Sequence, residues 1–159
     1  MANFSIQVDD QEVVVVVRSL LGRLDNAQPL YKSWANHLEK RTVQSFQRES
    51  SPTGIAWAQL SPKTLTKRAK RKSPRTKGKI LRDTGSLYDS VAARTLPDGA
   101  EVGTNRQVGA YSLGAIHQFG APARNIPARP FLPMDPAGEL LAEDVTEIRE
   151  LTQRWLDLQ

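Results

Sequence analysis

The chain has 159 residues, enough for one domain that buries roughly 70% of its unfolded surface. It contains no cysteine, which excludes disulfides and thiolate metal sites. No apolar run approaches the ~20 residues that cross a bilayer, and acidic residues precede the valine run at 13–17 where a secretion signal would be basic. We therefore expect no membrane contact, and a protein that stays in the cytoplasm where it is made.

The net charge of +5 conceals two blocks of opposite sign. Residues 135–159 carry seven acidic side chains and two arginines. Residues 50–82 carry no acidic side chain and ten basic ones, which are Lys63, Lys67, Arg68, Lys70, Arg71, Lys72, Arg75, Lys77, Lys79 and Arg82. Such blocks seek opposite charge elsewhere. Three roles stay open for the basic block: contact with an acidic protein surface, a solvated loop, or contact with the phosphates of duplex DNA.

A short strand and a helix are the first predicted elements. Residues 4–8 alternate between apolar and polar side chains, which is typical of a strand. Asp9 or Asp10 can cap a helix that runs to about Leu24, although five consecutive valines leave a strand through Arg18 as the alternative. The helix is favoured because it aligns one apolar stripe, formed by Val13, Val17, Leu20, Leu21 and Leu24.

The second helix is predicted from Pro29 to about Gln47, since proline suits the first helical position. Four apolar residues recur at multiples of four and predict a face that packs on the core: Leu30, Trp34, Leu38 and Phe46. His37 lies among polar neighbours on this helix, so we expect its side chain to be exposed.

The basic block is predicted to form a short helix and a loop. Ser61 and Pro62 are typical of a cap and first helical position, and the helix should end near Arg71. Residues 72–78 have no apolar side chain and include a proline and a glycine, which favours a mobile loop. The flexible basic loop therefore spans about residues 61–80.

Further elements follow from Leu81 onward. They are a short helix at 85–91 capped by Asp83 or Thr84, a hairpin of residues 93–96 and 100–103, a helix at 112–119 that ends at Gly120, and an extended segment at 126–132. Phe119 is expected in the core. A last helix should begin at Asp135-Pro136, with an apolar face of Leu141, Val145, Ile148, Trp155 and Leu158.

These elements predict one domain, residues 1–159, of the α+β class. N-terminal helices and a long C-terminal helix should pack on a small, mostly antiparallel sheet, with the basic loop outside it. The chain has only two histidines, His37 and His117, and neither lies in a metal-binding pattern. Ser86 lacks the flanking glycines of a nucleophile elbow, and no glycine loop for phosphate is present. We expect no enzyme activity, no metal and no cofactor.

Four ordered motifs resemble the phage virion morphogenesis family. They are Ser51-Pro-Thr-Gly54 with Trp57 and Leu60; Leu81-Arg-Asp-Thr-Gly-Ser-Leu87; Val102-Gly-Thr104 with Tyr111 and Ile116-His-Gln-Phe-Gly120; and Ile126-Pro-Ala-Arg-Pro-Phe-Leu132. The resemblance extends from about Gln28 to the C-terminus. It departs from the family pattern at residues 109–113, so the loop between the hairpin and the next helix is expected to differ here.

The resemblance implies a structural protein of contractile-tailed phages at the head–tail junction of the virion, made in the host cytoplasm. It implies a homo-oligomeric ring, with six subunits as the natural number, that completes the tail and joins tail tube or sheath proteins to the head connector. Two alternatives remain: a basic DNA-binding or packaging protein, and an assembly factor absent from the mature particle. Non-specific contact of the basic loop with phage DNA is compatible with each.

Candidate interface residues lie in the last two motifs. Arg129 has a fixed path between Ala128 and Pro130, so its guanidinium can clamp carbonyl groups or a carboxylate. Phe131 and Leu132 can bury on a sheet or on a neighbouring subunit. Internal packing of the whole segment is the equal alternative. The predicted interface set is Arg129, Pro130, Phe131, Leu132 and His117. For His117, a structural role is the more common one. The predicted lumen or partner-contact set is the basic loop: Lys63, Lys67, Arg68, Lys70, Arg71, Lys72, Arg75, Lys77 and Lys79.

Overall fold

The computed structural model describes residues 11–70 and 79–157. Five α-helices occur there: α1 Gln11–Asp25, α2 Gln28–Arg48, α3 Pro62–Ala69, α4 Leu113–Phe119 and α5 Ala142–Leu156. Four strands form two antiparallel hairpins: β1 Val91–Leu96 with β2 Gly99–Thr104, and β3 Gln107–Val108 with β4 Tyr111–Ser112. The α+β prediction is confirmed. The strand predicted at 4–8 and the loop predicted at 72–78 lie outside the described residues.

Helix α2 is the element on which the fold is assembled. It contacts β1, β2 and α5, and Leu30, Leu38 and Phe46 of its predicted face are buried. The Phe46 ring packs edge-on against Trp57 and Tyr88, at centroid distances of 5.7 and 5.3 Å. Aromatic pairs favour this edge-to-face geometry, so the core is centred on Phe46.

The first hairpin forms as its turn residues predict. Leu96 pairs with Gly99, so Pro97 and Asp98 make a two-residue turn, and the ladder extends to Val91 opposite Thr104. The α-helix predicted at 85–91 does not form, and residues 85–87 are bend and turn. Only a 3-10 turn forms, at Tyr88–Ser90, because Val91 pairs in the ladder.

The second hairpin occupies the place where the chain departs from the family pattern. Val108 pairs with Tyr111, and Gly109 takes a positive φ of 60° in the turn. Glycine reaches such angles at no steric cost. Ser112 then caps α4 by accepting a hydrogen bond from the Ala115 N–H at 3.2 Å, and α4 ends at Phe119 before Gly120, as predicted.

The last helix begins seven residues later than predicted, at Ala142 rather than Asp135. Asp135 does not cap a helix. Its Oδ1 accepts hydrogen bonds from the N–H groups of Ala137 and Glu139, at 2.8 and 2.9 Å. Aspartate side chains stabilise such local turns in competition with helix, and Gly138 at φ 90° closes this one. Val145, Ile148 and Trp155 of the predicted apolar face are half-buried, and Leu158 lies outside the described residues.

Helix α1 is confirmed as a helix, but most of its apolar stripe is exposed. Val17, Leu21 and Leu24 are 47, 55 and 57% exposed. A polar contact joins the helix to the end of α5: the Arg23 guanidinium donates to the carbonyls of Trp155 and Asp157. Within the described residues, no helix is long and apolar enough to span a membrane.

The prediction that Phe119 lies in the core is wrong. Its side chain is 53% exposed, because α4 is short and turns Gln118 inward instead. Gln118 is buried, and its Oε1 accepts hydrogen bonds from the N–H groups of Phe131 and Leu132 at 3.0 and 3.1 Å. One polar side chain thereby satisfies two buried backbone donors, which a phenylalanine could not do.

The prediction that His37 is exposed is also wrong. Its side chain is 16% exposed and its Nε2 lies 2.8 Å from Oδ1 of Asp144, which is 1% exposed. Arg41 approaches the same oxygen through Nε at 2.8 Å. Because α5 starts at Ala142, Asp144 falls in its first turn, where a negative charge is favoured. The three side chains join α2 to α5.

Candidate partner-binding cleft

The segment 126–132 lies in the extended form that its prolines predict, and it is fastened to α4. The Arg129 N–H donates to the His117 carbonyl at 2.7 Å, while Gln118 holds the next two N–H groups. The indole Nε1 of Trp57 donates to the Pro130 carbonyl at 2.8 Å. The motif at 126–132 is therefore bound both to the motif that contains Trp57 and to the motif that contains His117 and Gln118.

Arg129 clamps carbonyl groups, one of the two roles expected of it. Its Nε donates to the carbonyl of Ala58 at 2.9 Å and its Nη2 to that of Gln59 at 3.2 Å. The side chain is 6% exposed. Burial first, and the nearby positive charge of Arg68 second, lower the pKa of Arg129. Neutral carbonyls leave the positive charge of the guanidinium uncompensated, so the site keeps its attraction for an anion.

The structure assigns Phe131 to the core of its own chain. It is fully buried, and its ring lies 5.1 Å from that of Phe46. Leu132 packs against the same cluster and is half-buried. Internal packing, the alternative that the sequence left open, holds for Phe131 and for most of Arg129.

His117 lies beside Arg129 with one buried nitrogen that lacks a partner. Its Nδ1 makes no hydrogen bond in the structure, although it is shielded from solvent. Burial, then the charges of Arg129 and Arg68, lower the pKa of His117 to about 4. The imidazole is therefore neutral near pH 7. Buried polar atoms without partners are uncommon in folded proteins and call for an explanation.

These side chains face a cleft of about 730 Å³. Four elements form its walls: α3, the segment 81–87, α4 with the β2–β3 loop, and residues 125–129. Its charged residues are Arg68, Arg106, Arg129 and Asp83, three positive and one negative, which leaves a balance of +2. The polar lining also includes hydroxyl groups, on Ser61, Thr64, Thr84 and Ser86, and the amides of Gln59 and Asn125.

Helix α3 separates the basic block into an inner and an outer part. Arg68 is directed inward: its Nη1 donates to the Lys79 carbonyl at 2.6 Å, and its Nε lies 3.3 Å from Oδ1 of Asp83. Lys63, Lys67 and Lys70 are exposed. Lys79 is exposed as well and lies 4.0 Å from Glu49. The remaining members of the set, Arg71, Lys72, Arg75 and Lys77, lie outside the described residues.

The site that sequence reasoning missed is this cleft as a unit. Asp83, Arg106 and His117 are far apart in sequence, and nothing in their spacing indicates a common site. Among residues 11–70 and 79–157, no group of three or more histidine or acidic side chains is placed to hold a metal ion. What the cleft can do chemically is bind: its donors are guanidinium, imidazole and hydroxyl groups.

Comparison with known proteins agrees with the motifs. Residues 8–157 match the phage virion morphogenesis family, and the chain belongs to this family. It is 30% identical over 147 residues to a protein of Haemophilus influenzae described as Mu-like prophage FluMu G protein 2, covering 89% of this chain and 91% of that one. No solved structure matches. The protein thus has a role in the assembly of phage virions.

Proposed function

We propose that the protein is a structural subunit at the neck or tail end of the virion, where copies close into a ring. The ring, sixfold by analogy, completes the tail and joins tail tube or sheath proteins to the head connector. It has no catalytic activity and takes no cofactor or metal. Family membership over residues 8–157 supports a place in virion assembly, and the ring rests on what a single copy leaves exposed.

The observation that carries the ring is the apolar face of α1. Val17, Leu21 and Leu24 are 47, 55 and 57% exposed and lie on one face of this helix. Apolar surface in water is unfavourable, and burial of a whole leucine or valine side chain is worth roughly 1.5–3 kcal/mol. Contiguous exposed apolar surface often marks a protein interface. A neighbouring copy in a ring would cover this face.

Charge of opposite sign on α3 and α5 supports a head-to-tail arrangement. The exposed lysines of α3 lie in a part of the chain without acidic residues, whereas α5 carries Glu143, Glu147 and Glu150. Arg154 pairs with two of these at 3.1 and 3.4 Å, and Arg41 pairs with the third at 3.2 Å. All three pairs are surface contacts, which are weak enough to exchange for contacts with a neighbour.

Oligomeric mass by light scattering, with imaging of particles, tests the ring. We expect a closed oligomer for the unchanged chain and for Ile55→Lys, a matched control at a residue that is 72% exposed in the turn after α2. Leu21→Lys and Leu24→Lys should dissociate at concentrations where the control stays assembled, since each places a charge in the interface. Monomers of the unchanged chain at high concentration, with and without tail and connector proteins, would refute the ring. Absence of the protein from finished particles would favour an assembly factor.

A second candidate, DNA binding, is favoured by the outer lysines Lys63, Lys67 and Lys70. Phosphate contacts of this kind weaken steeply as salt rises, with a log–log slope close to the number of charges involved. We expect their joint replacement by glutamine to leave the fold intact, because all three are exposed. If the unchanged monomer binds duplex DNA tightly with a steep salt slope, and heads and tails still join in the triple variant, DNA binding is the better account.

A further inference from the structure

The cleft between α3 and α4 holds two features that the ring does not use. One is its positive charge: among the lining residues that the structure describes, Arg68, Arg106 and Arg129 face one acidic residue, Asp83. The other is the buried Nδ1 of His117, which makes no hydrogen bond in the structure. A hydrogen-bond acceptor with a negative charge would offset the positive charge of the cleft and would give Nδ1 of His117 a partner.

We propose that this cleft binds an acidic side chain, aspartate or glutamate, on an extended segment of a partner protein. The carboxylate lies among the guanidinium groups, and a rotation of the His117 ring lets its Nδ1, in the Nδ1–H tautomer, donate a hydrogen bond to it. Because Arg129 already donates to the carbonyls of Ala58 and Gln59, it is held in place before the ligand arrives. A group held in advance loses little freedom on binding, which favours affinity.

Shape decides between a protein segment and duplex DNA. The cleft is concave, and its volume of about 730 Å³ lies in the range of sites that enclose a small molecule or a few side chains. A duplex carries its phosphates on a convex surface and would meet the outer lysines of α3 before it reached Arg129. The hydroxyl groups of Thr64, Thr84 and Ser86 suit the polar backbone of an entering segment.

The inference does not depend on ring formation, since all of the lining residues named here belong to one chain. The probe is a capped tetraglutamate peptide, with capped tetraglutamine as its matched control. Binding to the full-length protein is measured by calorimetry, and the imidazole signals of the two histidines are followed by NMR. We expect tetraglutamate to bind and tetraglutamine not to bind. Binding should raise the pKa of His117, because a nearby carboxylate favours the charged imidazole over the effect of Arg129 and Arg68.

Two variants locate the site. Arg106→Gln changes a cleft residue that is exposed, so the fold should be retained. Loss of a charge-assisted hydrogen bond should weaken binding roughly tenfold. Arg94→Gln removes an arginine that is 73% exposed on the hairpin and should leave affinity unchanged. Equal binding of both peptides, equal weakening by both variants, or a His117 signal that responds to duplex DNA and not to tetraglutamate would each overturn the proposal.

Discussion

Asp144 offers the most informative test of how the C-terminal helix is held to the fold. The substitution Asp144→Ala would remove a carboxylate that is 1% exposed and that serves two partners, His37 and Arg41. Loss of one member of a buried ion pair costs about 3–5 kcal/mol, since the other charge stays buried without compensation. The Arg41 guanidinium keeps its contact with the Pro52 carbonyl at 3.2 Å and its pair with Glu143. We therefore expect the lower end, about 3 kcal/mol.

Urea denaturation, performed at concentrations where the chain is monomeric, measures this loss. The matched control is Glu143→Ala, which removes an adjacent carboxylate from the same arginine. Glu143 is 60% exposed, and surface pairs contribute ~1 kcal/mol or less. The Asp144→Ala substitution should lower the melting temperature by roughly 6–12 °C for a chain of this size. If both substitutions lowered the free energy of unfolding by the same small amount, the contacts of Asp144 would behave as surface contacts and our account of how α5 is held would be wrong.

Three other predictions follow from burial, close approach and charge. Phe131→Ala should cost about 3–5 kcal/mol by denaturation, and Phe119→Ala less than about 1 kcal/mol, because only Phe131 is buried; similar values would contradict the placement of the two rings. Gly114→Ala should destabilise by about 1–3 kcal/mol, since its Cβ would lie 2.5 Å from Cγ2 of Thr104; an unchanged melting temperature would contradict this packing. The lowered pKa of His117, about 4, means that stability falls as pH decreases from about 6.5 towards 4, where the unfolded chain binds a proton that the folded chain does not. His117→Gln should flatten this decline in the pH profile of unfolding, and an identical decline in the variant would show that other groups cause it.

Local patterns determined the elements whose signals lie within a few residues. Pro29 and the four-residue apolar spacing predicted α2, and Pro97-Asp98-Gly99 predicted the hairpin turn. Ser61 predicted a cap, and its hydroxyl accepts a hydrogen bond from the Thr64 N–H at 3.3 Å. Each depends on backbone preferences that act over one turn of chain, so the sequence contains all that is needed to find them.

Tertiary structure alone decided which side chains are buried and which residues meet. Phe119 and Phe131 are both aromatic residues in family motifs, yet one is exposed and the other fully buried. The sequence around His37 predicts a surface residue, but its side chain contacts Asp144, which lies more than a hundred positions away in the sequence. The cleft combines Arg68, Arg129 and His117 from three separate elements. Burial and electrostatic pairing depend on distances between elements that no local pattern specifies, because they are set by how the helices and hairpins pack around Phe46.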